Sequence, residues 1–324
     1  MSTAVWIVVA LGGVALIVWG AETFAEHLAS ASTRLGVSAF ALAVLLAGAE
    51  PEELATAVTA SLRGAPAIAF GDVIGANVAI CLVALGVGAV IAALPFDRRV
   101  RRYALAGVPA AGVAAAMAWD GEVSRLEGAA LILLYVAFVA TIWVLERTPP
   151  VLGETGEVEE AIEELAHEPA GGRRGRVGRE LVLVVAGVAG MAVGAVVLVE
   201  GVRRISGLEE TQTRLGLVVV GFATAFELVV LAWSSARRGI TAAVVAGVVG
   251  SYTYNVTMTL GAGAVAAPLR LVDGSRLHGP WLAMIAALVL VLVLAAVGSA
   301  QLGRRAGVVL LGAYGAFVVA VLVS

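Results

Sequence analysis

The chain of 324 residues contains no lysine, and all 21 of its basic residues are arginine. Cysteine occurs once, histidine three times, and only 14% of residues are charged. These scarcities exclude several classes. Cys81 stands alone in an apolar run, so no disulfide framework exists. A phosphate-binding loop of the Walker type and an H-E-x-x-H zinc pair are both missing, so neither ATP-driven work nor zinc hydrolysis is indicated. The sequence suggests neither an enzyme nor a nucleic-acid partner. The arginine bias reads as the codon usage of a GC-rich genome.

Apolar residues are abundant instead. They make up 60% of the chain, and the mean hydropathy is +0.99. Soluble domains are about 45–50% apolar. The sequence therefore predicts an all-α, multi-pass protein of the cell membrane, with the lipid bilayer as its first partner. Ten spans are expected, at 4–30, 37–62, 66–94, 102–119, 126–145, 180–205, 209–237, 240–267, 279–298 and 304–323. Each reaches or approaches the ~20 residues needed to cross the hydrocarbon. The first is too long for a signal-peptide core and lacks a basic leading stretch, so it is read as a retained helix.

Arginine placement sets the expected orientation. With the N-terminus outside, the inside segments hold 14 arginines and the outside segments 7. Both termini are then outside, and the loop 146–179 is cytoplasmic. The loop divides the chain into a first five-helix half at 1–145 and a second at 180–324. It reads "GEVEEAIEELAHEP" and then "GGRRGRVGRE", a short amphipathic stretch followed by a flexible basic one. A solvated linker explains it more simply than a regulatory element.

The halves share a repeat. Residues 71–95 read "GDVIGANVAICLVALGVGAVIAALP", and residues 246–268 read "AGVVGSYTYNVTMTLGAGAVAAP". At an offset of 175, Val73 matches Val248, Gly75 matches Gly250, and Leu85-Gly86 matches Leu260-Gly261. An odd number of spans per half puts the halves in opposite orientations. That gives two inverted five-helix repeats, with the site expected where they meet near mid-membrane. The same offset carries Glu52 of "LLAGAEPEELATAV" onto Glu227 of "VVGFATAFELVV". A charge at the centre of a spanning helix costs ~2.5–3.5 kcal/mol on insertion scales, so it normally faces a cavity or partner. Two facing carboxylates repel each other unless a cation or proton lies between them. Calcium-type cations take six to eight oxygens. Thr224, Ser251, Asn77 and Asn255 lie near the glutamates in sequence, and Pro51 can open the helix to free carbonyls.

These residues resemble the cation/calcium exchanger superfamily. Its two inverted repeats each carry a Gly-Thr-Ser-x-Pro-Glu stretch and, in the next helix, a Gly-Asn-x-x-Gly-Ser-Asn stretch. Here the first pair is "AGAEPE" (47–52) and "FATAFE" (222–227); the second is "GDVIGAN" (71–77) and "AGVVGSY" (246–252), with Asn255 three residues on. The resemblance implies a secondary antiporter without a cofactor, exchanging calcium or a similar divalent cation for sodium or protons. It makes Glu52 and Glu227 the alternately exposed ligands and spans one and six the sliding gate helices. By family spacing alone Glu53 would be the ligand; the Pro-Glu dipeptide and the internal repeat favour Glu52. Gly48, Ala49, Ala76, Ala223 and Ile80 offer no side-chain oxygen where the family usually does. Coupling to protons, or to fewer sodium ions than usual, is therefore expected. Asp72, in place of a family asparagine, either relays protons or binds the ion, or else is a charge at the pore rim. Glu50 and Glu53 are expected to face a hydrated vestibule, and Glu22 and Glu200 to lie at helix ends. The sequence leaves the oligomeric state open.

Overall fold

The structure is a computed structural model that describes residues 2–34, 50–146, 173–239 and 241–323. The positions Gly48 and Ala49, the first part of the expected second span, and most of the 146–179 loop lie outside the described residues.

The described chain is mostly helical. The first half holds α1 (Thr3–Arg34), α2 (Pro51–Leu62), α3 (Pro66–Ile91), α4 (Arg98–Met117) and α5 (Arg125–Glu146). The second holds α6 (Arg173–Ile205), α7 (Glu209–Thr224), α8 (Phe226–Arg238), α9 (Thr241–Tyr254, continuing to Ala266), α10 (His278–Val297) and α11 (Arg304–Val323). Among the described residues six helices are long and apolar enough to cross a membrane, and a seventh span is added if the bent α7–α8 pair counts as one. Of the others, α2 has only 12 residues, α4 opens on four arginines in the stretch RRVRR, and a π turn interrupts α9.

Local chemistry explains the boundaries. Pro51 and Pro66 occupy the first position of α2 and α3, where a missing N–H costs nothing. Asp97 caps α4 by accepting from Val100 N at 2.8 Å. Ser124 and Glu127 form a reciprocal capping box at the start of α5. Gly239, at φ +81°, ends α8 in the left-handed conformation that glycine adopts freely.

Three sequence expectations need correction. The span 209–237 is one segment in sequence but is bent by 41° between α7 and α8. The stretch 173–179, expected to be flexible, is helical and opens α6, where arginine's good helix propensity extends the span past its apolar core. The fold is also not purely helical. Strand β1 (Leu94–Pro95) pairs antiparallel with β4 (Gln301–Leu302), and β2 (Glu122–Val123) with β3 (Leu269–Arg270). These two-residue ladders tie together the connections at opposite ends of α4.

The 175-residue offset recurs in three dimensions. The π turn of α3 at Ile80–Ala84 and that of α9 at Asn255–Thr259 are separated by it. So are the first residues of α2 and α8, Pro51 and Phe226. Gly86 and Gly261 also stand at this offset, and each makes a reciprocal contact with another glycine. A Cβ on Gly86 would lie 3.3 Å from Gly307 O, and one on Gly307 would lie 2.7 Å from Gly86 O. The corresponding distances for Gly261 and Gly128 are 2.6 and 2.7 Å.

Helices α1 and α6 pack along their length through glycines. Gly13 lies against Gly194, and Gly20 against Gly187, with would-be Cβ to carbonyl distances of 2.7–2.8 Å. Rising number in one helix meets falling number in the other, so the two helices run antiparallel. Small residues allow such close approach of backbones in lipid. His27 Nδ1 and Glu180 Oε2, 2.6 Å apart, join the two helices at one end. Helix α3, buried along almost its whole length, forms the centre of the molecule.

The glycine contact predicts a contrast between neighbours. A Cβ on Gly13 would meet Leu198 N at 2.6 Å, whereas one on Gly12 meets nothing within 4 Å. Gly13→Leu should cost about 1–3 kcal/mol or more by overpacking, while Gly12→Leu should be nearly neutral. Thermal unfolding of the purified protein in detergent checks the difference.

Candidate functional site

Two helices begin inside the apolar interior with carboxylates in their first turn: α2 with Glu52 and Glu53, and α8 with Glu227. A helix N-terminus carries partial positive charge and favours an anionic side chain there. In α2 the start is set by Pro51. In α8 the break falls at Ala225 although Phe226 stands where the first half has proline. Sequence reasoning had no signal for this second break apart from the repeat itself.

The eight residues singled out from sequence form one neighbourhood. Glu52, Glu53, Asp72, Asn77, Ser251 and Asn255 are fully buried and Thr224 nearly so, while Glu227 is half-buried. Hydrogen bonds of these side chains join elements of the two halves. Thr224 Oγ1 donates to Asp72 Oδ1 at 2.9 Å. Asn255 Nδ2 donates to Asn77 Oδ1 at 3.3 Å, and Thr259 Oγ1 to Asn255 Oδ1 at 3.3 Å. Ser251 Oγ donates to Glu50 Oε1. Asn77 Nδ2 also reaches Tyr252 O at 3.3 Å, and Tyr252 is its own counterpart at the 175 offset. The two halves therefore meet at this asparagine.

Glu52 interacts electrostatically with Glu50 and Glu227, and Glu53 with Asp72 and Glu52, with Asn255 alongside. Both oxygens of Glu52, both of Glu53, Asp72 Oδ2 and Glu227 Oε2 are buried with no hydrogen-bond partner among the described residues. Buried polar groups are ordinarily paired, and unpaired buried carboxylates are the costliest exception. Among the described residues no three acidic, histidine or cysteine side chains converge closely enough to grip a metal ion by themselves. An ion here has to draw on neutral oxygens as well.

Two expectations change. Glu50 and Glu53 do not face a hydrated vestibule; they are buried, because the first turn of α2 points into the interface with α9 and α3. Glu22 lies within α1 and interacts with Glu227, whereas Glu200 lies near the end of α6 in an ion pair with Arg204 at 2.7 Å. Residues that sequence reasoning did not select include Thr259, Tyr252 and Met284. Met284 Sδ accepts weakly from Asn77 Nδ2 at 3.6 Å, and Met284 O accepts from the Tyr252 hydroxyl at 3.2 Å. Their neighbourhood is set by helix packing rather than by a motif.

The asparagine bridge gives a test of packing. Asn77→Ala and Asn255→Ala each strand a buried partner and should each cost about 1–3 kcal/mol. The double variant should cost clearly less than the sum, because both singles break the same link. Unfolding midpoints of the four proteins in detergent measure this.

The profile of the family described as sodium/calcium exchanger protein matches residues 5–144 and 179–323. An uncharacterized membrane protein of Methanocaldococcus jannaschii is 25% identical over 249 residues, covering 76% of this chain and 75% of its own. The inner membrane protein YrbG of Escherichia coli is 24% identical over 320 residues, covering 97% and 94%. Among solved structures, the sodium-calcium exchanger NCX_Mj soaked with 100 mM Na+ and 10 mM Sr2+ superposes with a TM-score of 0.61 at 21% identity, covering 97% of each chain. The same exchanger soaked with zero Na+ and Ca2+ gives a TM-score of 0.58, also at 21% identity and 97% coverage.

Proposed function

The chain belongs to the sodium/calcium exchanger protein family, and we propose that it is a secondary active antiporter that moves calcium, or a similar divalent cation, against sodium by alternating access. The observation that carries this reading is the meeting of unpaired buried carboxylates from both halves, Glu52 from α2 and Glu227 from α8, around a seam of neutral oxygens. The similarity to an exchanger solved with Na+ and Sr2+ supports the choice of ions.

In this proposal Glu52 and Glu227 are the principal ligands. Thr224, Ser251, Asn77 and Asn255 supply or orient neutral oxygens, and Glu53 and Asp72 add charge. A divalent ion neutralises the two facing carboxylates and replaces its lost water with oxygens. Removing the ion restores their repulsion, so the empty site is disfavoured until another cation enters. That penalty couples the two fluxes.

The chain is read as ten spans in two inverted halves, 1–145 and 180–324, joined by a cytoplasmic linker, with both termini outside. The antiparallel course of α1 and α6 supports the inversion. So does the 175-residue recurrence of helix starts and π turns. The glycine-packed α1–α6 pair is the moving part, and Glu22 on it faces Glu227 from the gate side. The remaining helices form the stationary frame, with α3 at its centre.

Calcium uptake into liposomes carrying the purified protein tests the reading. A sodium gradient should drive uptake, and Glu52→Gln and Glu227→Gln should each reduce it to the level of empty vesicles while the protein stays folded. Normal uptake by Glu52→Gln with none by Glu53→Gln would move the principal ligand to Glu53. Uptake that follows a pH gradient in sodium-free vesicles and ignores sodium would make the proton the coupling ion.

A further inference from the structure

A cavity of about 570 Å³ lies where α7, α10 and α11 meet the connection that leads into α10. None of the residues placed in the ion site lines it. Its size is that of a small-molecule site, which ordinarily takes about 300–1,000 Å³. The wall changes character with depth. Glu210 and Arg214 of α7 stand at one end with Asp273 and Arg276 of the connection. Leu217, Ala283 and Phe317, further along their helices from that end, are apolar. About 10 Å of helix separates Glu210 from Leu217. Helices α10 and α11 are both long and apolar enough to cross a membrane. Charged side chains at the ends of such helices sit at the membrane–water boundary, so the cavity runs from that boundary into the apolar layer.

The charged end is built rather than incidental. Arg214 Nη2 lies 2.7 Å from Glu210 Oε1. Arg276 Nη1 lies 2.5 Å from Glu210 Oε2, and its Nε lies 3.3 Å from Asp273 Oδ2. Glu209 accepts from Val272 N at 3.1 Å and fixes the connection to the start of α7. The four charged side chains are 31–49% exposed, where ion pairs contribute little stability and exchange partners readily. Two positive and two negative groups balance, and Glu209 adds a negative charge beside them. A purely anionic headgroup gains no net attraction from this set. A headgroup that carries both a phosphate and an ammonium finds a partner for each.

The apolar depth requires more than a headgroup. Gly279 lines the cavity, and a Cβ there would meet nothing within 4 Å. We propose that this cavity binds one phospholipid of the surrounding bilayer through a zwitterionic headgroup. Its phosphate lies on Arg214 and Arg276, its ammonium on Glu210 and Asp273, and the start of an acyl chain along Leu217, Ala283 and Phe317. The lipid then rests against a segment that touches the centre of the molecule, because Leu217 is also in backbone contact with Gly75 of α3.

The full-length protein, stripped of lipid in a neutral detergent, is titrated with phosphatidylethanolamine, phosphatidylglycerol or soluble phosphoethanolamine. Native mass spectrometry counts bound molecules, and the unfolding midpoint reads stabilisation of the folded state. Phosphatidylethanolamine should give one saturable adduct and a raised midpoint. Phosphatidylglycerol should need roughly ten-fold more for the same response, and soluble phosphoethanolamine, which buries no apolar surface, should give none. Gly279→Phe, which fills the open space, should abolish the adduct and the shift. Ala283→Phe, one turn further along α10, is a second variant with the same expected loss. Arg276→Gln, on the exposed rim, should raise the half-saturating concentration roughly ten-fold or more, and it keeps the test open should the filled variants fail to fold. An adduct retained by both filled variants, or by Arg276→Gln at unchanged affinity, would overturn the proposal. Equal binding of the two lipids, or an equal response to soluble phosphoethanolamine, would do so as well. A dimer without a lipid adduct would mean that a second copy covers this face, and would also overturn it.

Discussion

Among the described residues, Glu52, Glu53 and Asp72 carry buried carboxylate oxygens without a well-formed hydrogen bond, inside an interior built of alanine, valine, leucine and glycine. After relaxation, an unpaired buried ion still costs several kcal/mol. An arginine nearby would have resolved the problem permanently and produced an inert salt bridge. In the proposed reading the positive charge is supplied from outside by the transported cation. The other features of the fold serve that condition. Two helices start at depth so that carboxylates occupy their first turns, and the helices around them approach closely enough to keep water and lipid out.

Close approach depends on residues that have almost no side chain. Gly71 and Gly75 of α3 lie against Gly216 and Leu217 at the start of the π turn in α7, where an added Cβ would fall 2.2–2.6 Å from backbone atoms. Gly221 in turn lies against Gly75 and Ala76. This stack holds α3 and α7 together beside the Thr224–Asp72 bond. A larger residue at any of these positions would separate the helices and open that bond. The glycines common to the sequence motif are therefore conditions of distance. They permit polar side chains of one half to reach those of the other.

Much of the fold was legible because membrane helices write themselves in long apolar runs. Each of the ten expected segments contains described helix, and the offset that aligned Gly75 with Gly250 also aligns the π turns and helix starts. Glu52, Glu227, Asn77 and Asn255 were reachable through the same repeat. What sequence could not supply was neighbourhood. Glu50 has no acidic counterpart at Ala225, so symmetry gave no reason to bury it, yet Ser251 holds it inside. The bend at Ala225 has no proline to announce it, and lies where α7 and α8 both pack against α3. Met284 and Tyr252 meet Asn77 through crossings of α3, α9 and α10, for which no local pattern of residues exists.

The reciprocal glycine contacts of α1 and α6 have a consequence for energetics. Exchanging the roles of the two halves maps the Gly13–Gly194 contact onto Gly187–Gly20, so the pair is close to its own mirror in terms of contacts. If outward-facing and inward-facing forms interchange those roles, the helix pair contributes nearly equally to both, and the balance between them is left to positions where the halves differ. Asp72 against Gly247, Ser251 against Ala76, and Asn255 against Ile80 are such positions. The directional bias of the protein would then reside in a few polar atoms around the ion, and a mirror-image pair of substitutions in the helices would tilt that bias in opposite directions by similar amounts.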